Sequence, residues 1–287
     1  MRVMVLGAAG MLGHDLVATA PTDAIVVPLS RSALDITDRQ ALAAKVTQVR
    51  PDLILNAAGY TVVDRAESEP NVAFEVNEEA VRQLGLIAAE QHVRVVHFST
   101  DYVFDGTSRV PYKEDARTNP INVYGRSKLA GEVALQKSRA ASLVIRTQWL
   151  FGLHGRSFPA TMLERLARRL PTRVVTDQTG RATYTVDLAS ATWRLIEEGA
   201  AGVFHIANSG ESPWYEIAEY IFRSLGHLEL LAPCMTVDYP TPAQRPLYTV
   251  LHCGKYESLT GHELPSWQDA LRRYLVEAEV VGPRVSS

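Results

Sequence analysis

Tyr124 and Lys128 stand four residues apart in Tyr124-Gly125-Arg126-Ser127-Lys128, which puts a phenol and an ammonium on one face of a helix. A free tyrosine titrates near ~10, too high for easy proton transfer at neutral pH. An adjacent ammonium favours the phenolate and brings that value toward the working range. Chance alone produces this spacing in many helices, so the pair gains meaning only from its surroundings. Ser99-Thr100 supplies a hydroxyl suited to a substrate carbonyl. Gly7-Ala8-Ala9-Gly10-Met11-Leu12-Gly13 follows the first apolar run directly. Its glycines clear side chains from a backbone that must approach a pyrophosphate, and the helix it opens aims N–H groups at that charge. Close packing of strand on helix uses the same residues and is the plainer alternative.

Two further positions bear on which dinucleotide fits the turn. Ser30-Arg31 ends the second apolar run, where an arginine can pair with the 2′-phosphate of NADP. Asp35 stands close by, where an acid would hold the 2′-hydroxyl of NAD, so the signal is divided. NADPH is expected, with NADH also accepted. Asn56-Ala57-Ala58-Gly59 closes the third run with small residues that leave room for a cofactor.

The elements that must position these groups are legible as short apolar runs alternating with helical periodicity. Runs at 3–6, 25–29, 53–56, 93–98, 143–146, 173–175 and 203–206 read as buried strands. Helical spacing covers 11–20, 39–49, 73–91, 125–137 and 186–198. This alternation implies an α/β fold, a Rossmann-type doubly wound parallel sheet with right-handed crossovers. The rhythm fades after residue 207. There Pro213 opens a helix behind Ser212, a proline-rich loop spans 236–246, and a last helix starts near Ser266. A smaller, mainly C-terminal substrate-binding lobe is therefore expected. Residues 1–149 and 173–207 are assigned to the dinucleotide-binding domain, and 150–172 and 208–287 to that lobe. The tail over 280–287 is expected to fray.

Composition narrows the class of protein. Hydrophobic residues make up 46% and charged residues 21% of the 287, as in an ordinary globular chain. The balance of 29 basic and 32 acidic residues gives −3, no field for nucleic acid. Two cysteines are too few for a disulfide framework or a four-thiolate metal site. No apolar run approaches a membrane span, and the run at 3–6 is too short for a signal-peptide core. A cytoplasmic enzyme or binding protein is expected. The eight histidines lack ligand spacing, and His97 inside the fourth strand reads as a packed core residue. The Arg165-Arg168-Arg169 cluster reads as a solvated face, and Trp214 and Tyr215 as lobe core or interface.

Taken together, these motifs resemble the extended short-chain dehydrogenase/reductases, and within them the dTDP-4-dehydrorhamnose reductase family. The resemblance runs from Met1 to about residue 275. It rests on Gly7 to Gly13, Leu34-Asp35-Ile36-Thr37, Asn56-Ala57-Ala58-Gly59-Tyr60-Thr61-Val62-Val63-Asp64-Arg65-Ala66-Glu67 and Ser99-Thr100-Asp101-Tyr102-Val103-Phe104-Asp105-Gly106. It continues with Asn122-Val123-Tyr124-Gly125-Arg126-Ser127-Lys128, Arg146-Thr147-Gln148-Trp149-Leu150-Phe151-Gly152, Asp177-Gln178 and Pro240-Thr241-Pro242-Ala243-Gln244-Arg245-Pro246.

What the resemblance implies is a nucleotide-sugar 4-ketoreductase using NAD(P)H. Tyr124 matches the proton donor, Lys128 its ribose and pKa partner, and Thr100 the superfamily's catalytic hydroxyl. Asp101, Tyr102 and Trp149 fall at the sugar, and Arg245 is expected over the nucleotide diphosphate. Gly10, Met11 and Leu12 match the pyrophosphate turn, Asp35 and Ile36 the adenine contact, and Ala57, Ala58 and Gly59 the strand-end contact. Two departures stand out. Arg245-Pro246 leads into Leu247-Tyr248-Thr249 where the family usually has Asn-Ser, which puts the identity of the sugar in doubt. Some members dimerise around Mg²⁺ through acidic residues; Asp15 fits such a set, but Val186 stands where a second acid belongs, so no metal is expected. A homodimer is admitted by the resemblance alone. Alternatives stay open. An epimerase or dehydratase of the superfamily is one, although the dehydratase Glu after the acid is here Tyr102. A non-catalytic subunit like the regulatory subunit of methionine adenosyltransferase is another, and it would not need both Tyr124 and Lys128.

Overall fold

The computed structural model describes residues 1–281, so most of the tail expected to fray lies outside the described residues. β1 (Arg2–Leu6) leads into α1 (Met11–Ala18), and β2 (Ile25–Leu29) into α2 (Arg39–Val49). β3 (Leu53–Asn56) is followed by α3 (Val63–Ser68), α4 (Pro70–Phe74), a π-helical turn over Glu75–Glu79 and α5 (Ala80–Glu90). Then come β4 (Arg94–Thr100), α6 (Val123–Lys137) and β5 (Ser142–Thr147). Downstream lie β6 (Leu150–Phe151), α7 (Phe158–Ala167), β7 (Thr172–Val175), β8 (Thr179–Gly180), β9 (Thr183–Tyr184), α8 (Thr185–Glu197) and β10 (Gly202–His205). The chain continues through β11 (Ser212–Pro213), α9 (Trp214–Ser224), β12 (Leu231–Cys234), α10 (Gly254–Thr260) and α11 (Trp267–Val281).

Six strands form one parallel sheet in the order β10-β5-β4-β3-β1-β2. The central strands are buried on both faces, which is why they read as unbroken apolar runs. Alternate residues divide between two cores. Val3, Val5, Leu53 and Leu55 face one, while Met4, Leu6 and Ile54 face the other. A third core joins Phe151, Met162, Val174, Tyr184, Ile217, Phe222, Trp267 and Leu271. The strand read at 173–175 forms, but as β7 it pairs in parallel with β12, away from the main sheet. No helix among the described residues is long and apolar enough to cross a membrane.

The single helix expected over 73–91 is interrupted by the π-turn at Asn77. The Asn77 side chain is buried there; it accepts from Tyr60 N at 2.9 Å and donates to Tyr60 O at 3.0 Å and to Ser127 Oγ at 2.9 Å. Those bonds tie the loop after β3 to α6, a tertiary demand that apolar periodicity does not reveal. α6 itself starts at Asn122, whose Oδ1 accepts from Gly125 N at 2.8 Å. Its Nδ2 donates to Gln244 O at 2.9 Å, so one amide caps the helix and seats the proline-rich loop.

Glu132 of α6 and Arg146 of β5 form a buried ion pair, Nη2 to Oε2 at 2.7 Å, with side-chain exposures of 2% and 6%. Arg146 Nε adds a bond to Oε1 at 3.0 Å, and Ser99 Oγ donates to the same carboxylate. Removing one partner strands the other charge in the interior. Glu132→Ala is expected to cost about 3–5 kcal/mol of unfolding free energy in a urea titration, because Arg146 cannot reach water. A cost below ~1 kcal/mol would show that the pair does not hold α6 to the sheet.

Candidate active site

β1 and β3 are neighbours in the sheet although their crossovers leave in opposite directions, and such a switch point opens a crevice at the carboxyl ends of the strands. A cavity of about 560 Å³ lies there. Gly7, Gly10, Arg31, Asp35, Ile36, Ala57, Ala58 and Gly59 line it, together with Tyr60 and Arg65. Gly7 has a φ of +73°, and a Cβ there would stand 2.7 Å from Ala58 N. A Cβ at Gly13 would stand 2.1 Å from Gly7 O. Both glycines are therefore required by backbone contact, and Gly7 with Gly10 lines a cradle that fits a pyrophosphate. Gly13, Met11, Leu12 and Ser30 lie outside the lining: Leu12 is core, Met11 packs near Gly152 and Gly155, and Ser30 Oγ meets Ser32 Oγ at 2.9 Å.

At the rim Arg31 Nε lies 3.6 Å from Asp35 Oδ2, with the arginine side chain 84% exposed. The Thr37 backbone N–H and hydroxyl, then Arg31, hold the Asp35 carboxyl below its ordinary range. The two residues that divided the sequence signal are thus paired with each other.

A second cavity, of about 700 Å³, is walled by Asp64, Tyr102, Phe158, Arg165, Arg173, Gln178, Trp214 and Arg245. Arg245 Nη2 meets Asp64 Oδ1 at 2.9 Å, while its Nη1 is buried with no hydrogen-bond partner. Ala243 N also donates to Asp64 Oδ1, at 3.2 Å, which fixes the loop. Asp177 Oδ1 accepts from Thr236 N at 2.9 Å and holds the loop's other end. Trp149 adopts a left-handed φ of +49° and stacks on Trp214, with centroids 3.7 Å apart and planes at 11°. Trp214, read from sequence as core or interface, lines this cavity, and Trp149 is stacked against it. Arg165, read as part of a solvated face, also lines the wall, braced by Thr172 Oγ1 at 2.7 Å.

Between the cavities stand the groups with acid–base chemistry. The Tyr124 ring packs edge-on to Tyr102, centroids 5.8 Å apart. Burial pushes the Tyr124 phenol up to about 12, with the Thr100 hydroxyl beside it pulling down and Asp101 pushing up. The ammonium effect expected from Tyr-x-x-x-Lys is not what governs the phenol here. Lys128 Nζ instead donates to Phe98 O at 2.6 Å and lies 3.3 Å from His97 Nε2. Burial lowers Lys128 to about 8, opposed by the charge of Glu132. Burial, then Lys128, lowers His97 well below its ordinary value, and the buried ring is in polar contact on both sides, with Lys128 Nζ at Nε2 and Asn56 Nδ2 at Nδ1, 3.1 Å away. Nothing in the sequence distinguishes that role from core filling. Thr100 Oγ1 donates to Asp101 Oδ1 at 3.0 Å and accepts from Tyr102 N at 3.1 Å. Burial raises Asp101 to about 7 against the pull of the Thr249 and Thr100 hydroxyls. Thr249, from the segment that departs from the family pattern, thus reaches the acid at the centre. Leu247 is exposed, and Tyr248 Oη donates to Glu211 Oε2 at 3.0 Å.

Comparison with known proteins gives a consistent set of likenesses. Residues 1–280 match the family model described as the RmlD substrate binding domain. The chain is 39% identical over 284 residues to a dTDP-4-dehydrorhamnose reductase of Sinorhizobium fredii, covering 95% of this chain and 96% of that one. It is 43% identical over 272 residues to a dTDP-4-keto-6-deoxy-D-glucose reductase of Streptomyces niveus, covering 94% and 91%. Among solved structures, a dTDP-4-dehydrorhamnose reductase of Bacillus anthracis in complex with NADP superposes with a TM-score of 0.93 at 33% identity, covering 96% of this chain and 99% of that one.

The buried acid has a measurable signature. Asp101 is raised from 3.8 to about 7 by folding, so the folded chain holds a proton that the unfolded chain releases between those values. Its favourable contribution is complete below about 3.8 and declines until pH 7. Asp101→Asn stays neutral throughout. The difference in Tm, variant minus wild type, should therefore widen from pH 4 to 7 and then level off; a flat difference would mean that Asp101 ionises as an ordinary surface acid.

Proposed function

The chain belongs to the RmlD substrate binding domain family, and from that premise we propose that it reduces the C4 carbonyl of a dTDP-6-deoxy-4-ketohexose with hydride from NADPH. The substrate favoured by the named relatives is dTDP-4-dehydro-L-rhamnose, giving dTDP-L-rhamnose. One observation carries the reading. Tyr124 stands between two cavities: Lys128 approaches Gly59 in the wall of the first, and Tyr102, in contact with Tyr124, walls the second. A relative named for a 4-keto-6-deoxy-D-glucose supports that sugar as a second substrate.

The proposed roles follow from position. The Gly7–Gly13 turn holds the pyrophosphate, and Arg31 reaches for the 2′-phosphate once drawn from Asp35. Bound NADPH supplies the hydride that adds to C4. Tyr124 gives its phenolic proton to the carbonyl oxygen, leaving an alcohol, and the Thr100 hydroxyl orients that oxygen. Asp101, near half-protonation at pH 7, lies behind Thr100 as a further store of exchangeable protons. Arg245 and Arg165 face the diphosphate, and Trp214 flanks the hexose with Trp149 supporting it. Assigning 1–149 with 173–207 to the dinucleotide and 150–172 with 208–287 to the sugar belongs to the same proposal, except that β7 packs in the third core. The cytoplasmic location and the homodimer belong to it as well.

The direct test is NADPH oxidation with dTDP-4-dehydro-L-rhamnose and dTDP-4-keto-6-deoxy-D-glucose offered separately; no turnover of either would defeat the proposal. Tyr124→Phe should lower kcat by about 10²–10⁴ while NADPH affinity stays near wild type. Near-normal turnover in that variant would take the proton donor elsewhere. For cofactor choice, Arg31→Ala should weaken NADPH by roughly ten- to a hundredfold, the worth of a charge-assisted phosphate contact, and spare NADH. Equal losses for the two cofactors would remove Arg31 from the 2′-phosphate.

A further inference from the structure

Beneath α6, four polar contacts run in series between two strands of the main sheet. Asn56 closes β3, and His97 is its register partner on β4. Both side chains are buried, at 1% and 0% exposure. Ala58 N donates to Asn56 Oδ1 at 3.3 Å. Asn56 Nδ2 lies 3.1 Å from His97 Nδ1, and His97 Nε2 lies 3.3 Å from Lys128 Nζ. Lys128 Nζ ends the series by donating to Phe98 O at 2.6 Å.

The two ends fix its direction. A backbone N–H only donates and a carbonyl only accepts. The amide atom that meets Ala58 N must therefore be the oxygen, which turns the Asn56 NH₂ toward the ring. His97 Nδ1 then accepts, and a neutral imidazole that accepts at Nδ1 carries its hydrogen on Nε2. That hydrogen faces Lys128 Nζ. An ammonium repels it, whereas an amine receives it with its lone pair. We propose that Asn56 and His97 are positioning residues for the reduction, presenting an imidazole N–H that holds Lys128 as a neutral amine. The use of Lys128 rests on the reductase reading given above; the direction of the series does not.

The valences of Nζ close on this arrangement. One amine hydrogen goes to Phe98 O, and the lone pair receives the imidazole N–H. The other hydrogen is left for a cofactor in the first cavity, whose wall residue Gly59 would bring a Cβ to 3.9 Å from Nζ. The surrounding groups leave His97 in control. Glu132, one turn along α6, favours the ammonium, but its carboxylate is spent on Arg146 and Ser99. Tyr124 and Asp101 are both pushed toward their neutral forms by burial. Burial already lowers Lys128 to about 8 against Glu132, and the imidazole N–H acts in the same sense. Protonating Lys128 requires the His97 hydrogen to move to Nδ1 and the Asn56 amide to turn over, at the cost of its bond from Ala58 N. Charge on the amine is thereby coupled to a backbone N–H in the wall of the first cavity.

Full-length protein labelled with ¹⁵N in histidine and ¹³C in lysine, without ligand, reads both ends of the series by NMR. At about pH 9, above the Lys128 range, His97 is expected with its hydrogen on Nε2. A hydrogen on Nδ1, or an imidazolium, would overturn the proposal with no variant needed. Asn56→Asp keeps an acceptor for Ala58 N but can only accept from the ring, so it should drive the hydrogen to Nδ1. Nε2 then accepts from an ammonium, and Lys128 should titrate higher by roughly one pH unit or more, the worth of one hydrogen bond. The same change made in His97→Leu gives the effect of the added charge alone and should move Lys128 less. An unmoved tautomer in Asn56→Asp, or equal shifts with and without the ring, would also sink the idea. The pH profile of kcat/KM for NADPH should move upward with Lys128; a fixed profile would remove the series from the reaction. Absence of turnover with either ketosugar would instead defeat the proposed function and leave the NMR result standing.

Discussion

α6 carries Tyr124, Lys128 and Glu132 at four-residue intervals, so a single stripe on one helix holds the phenol, the amine and the acid. The stripe works only if the helix cannot slide or roll against the sheet. Glu132 opposes both by its buried, three-bond grip on Arg146 of β5. The same carboxylate opposes the loss of charge on Lys128, one turn away. Anchor and chemistry are therefore electrostatically joined, and neither can be altered without the other. Arg146 further donates to Glu114 O at 3.3 Å, which extends the hold to the long segment between β4 and α6.

Burial acts on all three central groups in one sense. It raises the Tyr124 phenol and the Asp101 carboxyl and lowers the Lys128 amine, in each case favouring the neutral form. A phenol raised in this way is protonated at neutral pH, the form from which carbonyl reduction draws its proton, and it is a weaker acid than free tyrosine. An ammonium aimed at the phenol would shift that balance toward phenolate. In this structure Lys128 is instead held by Phe98 O and His97, on the side of Gly59.

Much of this was legible in the sequence, for identifiable reasons. Strands buried on both faces announce themselves as unbroken apolar runs, and five of the six in the main sheet begin and end within a residue of expectation; β4 runs two residues further, to Thr100. The phosphate turn was readable because backbone contact demands glycine at 7 and 13. What escaped depends on contacts remote in sequence. β7 was recognisable as a strand, but its pairing with β12 is set by the third core. The π-turn exists for the Asn77 side chain, which periodicity counts as noise. His97 and Trp214 have the burial and type of ordinary packing residues, and only their neighbours, Lys128 and the second cavity, set them apart. Trp149 shows the converse: its motif was read, while its stack on another indole was not.

The Trp149–Trp214 stack has a consequence of its own. The two indoles lie in near-parallel contact, 3.7 Å between centroids, so whatever moves one ring is felt by the other. Trp214 lines the cavity, and Trp149 sits on a backbone of left-handed φ, +49°. A ligand touching Trp214 would alter the surroundings of both rings at once, so the tryptophan emission of the unlabelled chain should respond to occupancy of the cavity without turnover.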